Sequence, residues 1–301
     1  MSDPRGVSVR VRELEVLYPG TRVPVLRGLD LDVHAGGTLA VVGESGSGKS
    51  VLVRAILGLA PVSRGHVLLG DTDLTRASGT CLRVARRRIG TVFQSPVDSL
   101  DPRWPAQRSV AEALSLRTGR AIRDLMDAAD ELLEAVGIPA GRRGALPGAL
   151  SGGECQRVAI ARAVAGGPDL VLADEPTAML DPGVAARILD LLAALQRSMG
   201  FTLVLITHHL TELQRLPGAL LVLCAGHPAE RNISSAAPPA HPFSRYLWDA
   251  AVRPVEPVNL ADEGCPFSPG CPRVVDLCRQ RYPDPEEVGD GWTIWCNNPE
   301  I

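Results

Sequence analysis

The sequence predicts an α/β protein: a mostly parallel sheet, preceded by an antiparallel β subdomain, interrupted by a helical insertion and followed by a small cysteine-containing module. Three observations point that way. From Thr38 onward, short apolar runs suited to buried strands (38–42, 169–173, 202–206 and 219–223) alternate with helical patterns. A glycine-rich loop from Gly43 to Ser50 joins the first of these runs to a helix. After about Arg231 the composition shifts to Pro and Ala, and four cysteines gather in the tail.

The elements follow in order. Val7, Val9 and Val11, then Leu14 and Val16, alternate as one strand. A turn and a second strand, Val23 to Val33, make an antiparallel start. Between Ser95 and Leu150 no strand pattern occurs, whereas 110–116 and 122–136 space their apolar residues helically, so a helical insertion is expected over about 95–165. The run Arg86-Arg87-Arg88 is read as a solvated turn before a strand at 89–93. The expected division is a domain over 1–230 and a C-terminal module over 231–301, with Ala236-Ala237-Pro238-Pro239-Ala240 as a linker. There is no internal repeat.

Composition narrows the function. A chain of 301 residues with 45% hydrophobic content can bury a sizeable core, and a net charge of −3 argues against a broad basic face for nucleic acid. No basic-then-apolar leader is read at the start, and apolar runs such as Gly218–Gly226 fall short of the roughly 20 residues that cross a bilayer. The expectation is a soluble, cytoplasmic protein whose membrane role comes through a partner. Its seven cysteines are then expected to stay reduced.

Gly43-Glu44-Ser45-Gly46-Ser47-Gly48-Lys49-Ser50 fits G-x-x-x-x-G-K-[ST] between a strand and a helix that begins near Val51. Consecutive amides of such a loop turn inward on phosphates, and the helix adds the positive end of its dipole. Lys49 is placed for the β- and γ-phosphates and Ser50 for Mg²⁺. At the end of a second buried strand, Asp174 belongs near that metal and Glu175 near the attacking water. A third group, Leu150-Ser151-Gly152-Gly153-Glu154-Cys155-Gln156-Arg157, sets a second anion-binding helix N-terminus on the same chain.

With that run the sequence resembles the ABC ATPase family, whose signature is usually written L-S-G-G-Q. The resemblance implies two subunits packed head to tail, so that Ser151, Gly152, Gly153 and Glu154 close over ATP held by the partner. It implies that Gln94 is the Q-loop glutamine, sensing Mg²⁺ and contacting a transmembrane partner. His208 matches the histidine that meets the γ-phosphate, and Asp181 the D-loop that crosses the interface. Tyr18 stands where the family places an aromatic under adenine, or is a half-exposed tyrosine at a strand end. Glu154, Cys155 and His209 depart from the usual pattern without removing a phosphate, metal or water-orienting group.

Phe93-Gln94-Ser95-Pro96-Val97-Asp98-Ser99-Leu100-Asp101-Pro102 and His241-Pro242-Phe243-Ser244-Arg245-Tyr246-Leu247 resemble segments of oligopeptide, dipeptide and nickel importer ATPases. Cys265, Cys271, Cys278 and Cys296 are spaced C-x5-C-x6-C-x17-C, open to an iron–sulfur cluster, zinc, or four packed thiols. The subfamily resemblance implies a [4Fe–4S] cluster. It also implies an ATP- and Mg²⁺-dependent uptake subunit on the cytoplasmic face of the membrane. The partners it implies are a second, different ATPase chain, two transmembrane permease subunits and, indirectly, a solute-binding protein. The alternatives are import of nickel or a metallophore, a soluble ATPase acting on nucleic acid or ribosomes, and a cluster-based redox sensor.

Overall fold

The structure is a computed structural model and describes residues 6–208, 210–232, 234, 238–248, 263–289 and 291–299. His209 and part of the expected linker lie outside the described residues. In chain order the strands are β1 (Val9–Val16), β2 (Leu26–Val33), β3 (Thr38–Val42), β4 (Val62–Leu69), β5 (Thr72–Asp73), β6 (Ile89–Val92), β7 (Leu170–Asp174), β8 (Thr202–Thr207), β9 (Ala219–Cys224), β10 (His227–Asn232), β11 (Glu286–Gly289) and β12 (Trp292–Ile294). The helices are α1 (Lys49–Ile56), α2 (Gly79–Arg87), α3 (Pro96–Ser99), α4 (Ala106–Thr118), α5 (Met126–Ala135), α6 (Gly152–Val164), α7 (Pro182–Met199), α8 (Pro242–Trp248) and α9 (Asp276–Gln280). Among the described residues no helix is long and apolar enough to cross a membrane.

The chain divides into two compact units. One comprises Met1–Ser8, His34–Gly37 and Ala77–Leu205, the other Val9–Val33, Thr38–Arg76 and Ile206–Ile301. In the first, β6 and β7 pair in parallel with Ile89 opposite Leu170 and Val92 opposite Ala173. Around them lie the helices of the expected insertion. Ala106, Val110 and Leu114 recur at every fourth residue of α4 and are buried, as are Ala129 and Leu133 of α5. Gly119 and Gly200, both left-handed, end α4 and α7.

The arginine run is not a solvated turn. Arg86 and Arg87 form the last turn of α2 and Arg88 caps it, with Arg88 Nε 2.5 Å from Asp169 Oδ2. Arginines at a helix C-terminus complement its dipole, which is why the run continues a helix.

In the second unit β2, β1, β4 and β5 form the antiparallel sheet, and β11, β12, β10, β9 and β3 follow one another in a second sheet. There β3 and β9 are parallel, while β12 pairs antiparallel with β10 through Glu230 opposite Ile294 and Arg231 opposite Thr293. Tail and strands share one core: Val42, Val222 and Cys224 pack with Phe243 and Phe267, with Cys265 and Cys271 against them. The two phenylalanine rings meet edge to face at 5.2 Å.

Candidate functional site

The candidate residues fall into four parts. The first is the glycine-rich loop of the second unit. Gly48 sits at φ +100° as the N-cap of α1, and a Cβ there would stand 2.8 Å from Leu26 Cδ2, so glycine is required. The first turn of α1 carries no acidic residue to compete for an anion. Lys49 is buried, and its Nζ donates to Gly43 O at 2.8 Å and Glu44 O at 2.7 Å. It is the chain's one lysine; the other thirty cationic side chains are arginine. Ser47 Oγ is buried without a hydrogen-bond partner, and Gly226 N donates to Ser47 O at 3.0 Å. An orphaned hydroxyl inside a loop of inward-turning amides suits a polyanion.

The second part, in the first unit, is the end of β7. Asp174 closes the strand and Glu175 follows at φ +47°, a left-handed conformation rare for a residue with a Cβ. Gln94, just beyond β6, donates from Nε2 to Glu175 Oε2 at 3.1 Å. His208 belongs to the other unit, exposed at the end of β8. Beside it Thr207 Oγ1 donates to the buried Glu212 at 2.7 Å. Tyr18, half-buried, follows β1 in a turn closed by Thr21 N and Thr21 Oγ1 donating to its carbonyl.

The third part is the signature run. Ser151 is the N-cap of α6 in a reciprocal capping box: Glu154 N donates to Ser151 Oγ at 3.3 Å and Ser151 N donates to Glu154 Oε2 at 2.8 Å. Glu154 also grips Arg142 through two bonds of 3.0 Å, and that guanidinium, with Ser151 N–H, holds its carboxyl down at about 2. The glutamate at this position is thereby explained, since a glutamine would cap but not pair. Cys155 is fully buried, its thiol donating to Pro147 O. A groove of about 290 Å³ runs past Ser151, Gly152, Gly153 and Asp181, with Arg157 and Arg187 on its lining. At Gly153 a Cβ would fall 2.8 Å from Val184 Cγ1 of α7. Sequence reading named the signature and Asp181 separately and missed Arg187, which no motif marks.

The fourth part is the cysteine set. Cys265 N donates to Cys278 O at 2.7 Å. Burial pushes the Cys265 thiol up to about 12, and Cys278, Cys271 and Cys296 add to the rise. Cys296 is raised too, by burial first. Asn297 Nδ2 donates to Cys278 Sγ at 3.6 Å and Asn298 N to Cys296 Sγ at 3.4 Å. Among the described residues, no three His, Cys, Asp or Glu side chains are grouped closely enough to hold a metal ion.

A phosphate loop followed along the chain by a strand-end carboxylate pair defines the class: a P-loop nucleoside triphosphatase. The family model of ABC transporters matches residues 26–178, half of the chain, and the chain belongs to that family as an ATP-hydrolysing member. It is 36% identical, over 96% of its length and 89% of the relative's, to a probable peptide ABC transporter ATP-binding protein of Sinorhizobium fredii. It is 35% identical, over 90% of its length and 92% of the relative's, to a probable D,D-dipeptide transport ATP-binding protein of Escherichia coli. A dimeric post-hydrolysis state of an ATP-binding cassette bound to ADP and Pi matches with a TM-score of 0.69 at 29% identity, covering 75% of this chain and 98% of that one.

Proposed function

We propose that this chain is the energy-coupling ATPase of an importer for oligopeptides, dipeptides or a related small solute. The observation that carries the reading is the extent of the likeness: relatives named for peptide transport match 96% and 90% of the chain. Lys49 and the amides of Gly43 to Val51 take the phosphates, and Tyr18 flanks the base. Ser50, Asp174 and Gln94 hold Mg²⁺, which when bound draws charge from the phosphate oxygens. Glu175 orients the attacking water and accepts its proton as the new O–P bond forms and ADP leaves, while His208 contacts the γ-phosphate.

Ser151, Gly152 and Gly153 serve an ATP held by a second ATPase subunit, a different chain. Glu154 supports them by fixing Ser151 and Arg142. Two permease subunits carry the solute across the membrane, fed by a solute-binding protein, and this chain sits on the cytoplasmic face. One permease helix docks beside Gln94.

The C-terminal module holds a [4Fe–4S] cluster on Cys265, Cys271, Cys278 and Cys296. The four residues are of the right chemical type, but among the described residues no three of them are grouped closely enough to hold a metal ion, so the assignment rests on the subfamily resemblance. Cys265 and Cys271 pack against one core, and N–H groups point at the sulfurs of Cys278 and Cys296. When bound, a cationic centre keeps such thiols deprotonated. Anaerobic purification should give brown protein whose iron content tracks its visible absorbance; zinc or no metal would overturn the assignment.

The importer reading is tested by reconstituting the transporter with Glu175→Gln. ATP should bind while hydrolysis and peptide uptake fall together. Uptake at the wild-type rate would refute it.

A further inference from the structure

A two-residue hairpin turn backs the phosphate loop. Cys224 at the end of β9 pairs with His227 at the start of β10, leaving Ala225 and Gly226 to turn the chain. Both have positive φ, +49° and +85°, the twist that so tight a hairpin demands. A residue with a Cβ rarely adopts it, so Ala225 stays there only while its surroundings hold it.

The loop rests on this turn and its neighbours through the backbone. Gly226 N donates at 3.0 Å to the carbonyl of Ser47, whose buried hydroxyl has no hydrogen-bond partner. A Cβ at Gly226 would stand 2.3 Å from Val25 O, and one at Gly48 would stand 3.1 Å from that same oxygen. At Gly43, the first glycine of the loop, a Cβ would stand 2.3 Å from Leu223 O of β9. Such close approaches leave no slack: a displaced turn displaces the amides that face the phosphates.

The tail supplies part of what holds the turn. Tyr282, between α9 and β11, lays its ring on the His227 imidazole with centroids 4.0 Å apart and planes at 25°. Its hydroxyl donates to Pro228 O, the next residue of β10. His227 Nε2 accepts from Arg27 Nη1 at 3.1 Å, and Arg27 N donates to Gly226 O at 3.1 Å. Burial first, and then Arg27, lowers His227 to about 4, so the imidazole is neutral and free to accept that bond. The turn is thus gripped both by β2 and by a ring of the tail.

We infer that Tyr282 is a positioning residue for the nucleotide: stacked on His227, it fixes the Ala225–Gly226 turn and through it the phosphate loop, so that the tail sets how tightly the chain holds nucleotide. Acting through the backbone of the loop, it bears on affinity and not on the chemical step. This role holds whatever solute the importer carries.

The test titrates the full-length protein with MgADP, which loads the loop without hydrolysis. Tyr282→Leu and His227→Leu keep apolar bulk but remove the ring pair, and each should weaken MgADP roughly five- to tenfold, the worth of a ring contact converted to affinity. Tyr282→Phe keeps the pair and should lie closer to wild type. The double leucine variant should be no weaker than either single one. In ATP hydrolysis KM should rise with kcat unchanged. Trp292→Phe, which loosens the tail at Glu230 instead, should bind MgADP as the wild type does. Because coupling is reciprocal, MgADP should also slow hydrogen exchange in wild-type peptides spanning Tyr282, a measurement that decides the matter even where a leucine variant does not fold.

Folded leucine variants with wild-type affinity overturn this role, as do losses that add in the double variant. An affinity that falls equally in Trp292→Phe overturns it in favour of a general loosening of the tail. Exchange at Tyr282 that is indifferent to MgADP overturns it without recourse to any variant.

Discussion

Gln94 Nε2 donates to Glu175 Oε2 at 3.1 Å, and strand register is what brings the two together. Val92 and Ala173 are the last paired residues of parallel β6 and β7, and each functional side chain lies two residues beyond. The amide therefore meets the carboxylate through the register of two neighbouring strands. Glu175→Gln should cut ATP turnover by about 10²–10⁴-fold, the usual worth of a general base, with nucleotide still bound. Gln94→Ala should cost much less, and the double variant should cost no more than Glu175→Gln alone if the glutamine acts through the carboxylate. Single-turnover hydrolysis of the four proteins decides this; additive losses would separate the roles.

The backbone at Glu175 makes an independent prediction. Its φ of +47° is disfavoured by about 1–2 kcal/mol for any residue with a Cβ. Glu175→Gly should therefore be more stable than Glu175→Ala by about 1 kcal/mol, while both are inactive. Thermal melts that rank the alanine variant equal or higher would remove strain from the account of this site.

How much of this was legible in the sequence follows from burial. β3, β7, β8 and β9 are buried nearly end to end, so their apolar runs stand out, as does the alternation of β1. α2 was illegible because Ala85 is its one buried residue, leaving no apolar period to read. β4 is broken by Arg64-Gly65-His66, opposite a stretch of β1 where the register shifts. The tail strands are short: β11 is mostly exposed, and β12, buried at Thr293 and Ile294, has only three residues. Motifs named Gln94 and Glu175, but a contact between residues 81 apart is a property of register, which neither segment records. Glu154 looked like a departure because its partner, Arg142, belongs to no motif.

Lys49 can be addressed chemically. As the chain's one lysine it is the sole ε-amine, so an amine-selective label found on an internal peptide reports the phosphate loop alone. Its burial and its two carbonyl partners should make labelling slow, and MgATP should slow it further. Peptide mapping with and without nucleotide reads both effects, and labelling indifferent to MgATP would contradict the role of Lys49.

The Arg142–Glu154 pair sets an acid-side dependence. Glu154 is held near 2 in the folded chain against an ordinary value of 4.5. The stability it contributes is thus full above about pH 4.5 and is lost as pH falls towards 2. Glu154→Gln should lower Tm at neutral pH, and the gap to wild type should close across that window. A gap that is the same at both ends would show that the pair contributes nothing through its charge.

Glu230 on β10 is buried and accepts three donors from the tail: Ala240 N at 3.2 Å, His241 N at 3.0 Å and Trp292 Nε1 at 2.9 Å. One carboxylate thus ties the start of α8 and the strand β12 to a core strand. Glu230→Ala strands these donors, each at a cost of about 1–3 kcal/mol if it stays buried. Trp292→Phe removes a single bond, for about 1 kcal/mol. The expected order of Tm is wild type, Trp292→Phe, Glu230→Ala, and proteolysis should release fragments cut between β10 and β12 earliest in Glu230→Ala. Unchanged cleavage there would mean that the apolar contacts of Phe243 and Phe267, rather than this carboxylate, fasten the tail to the unit that carries the phosphate loop.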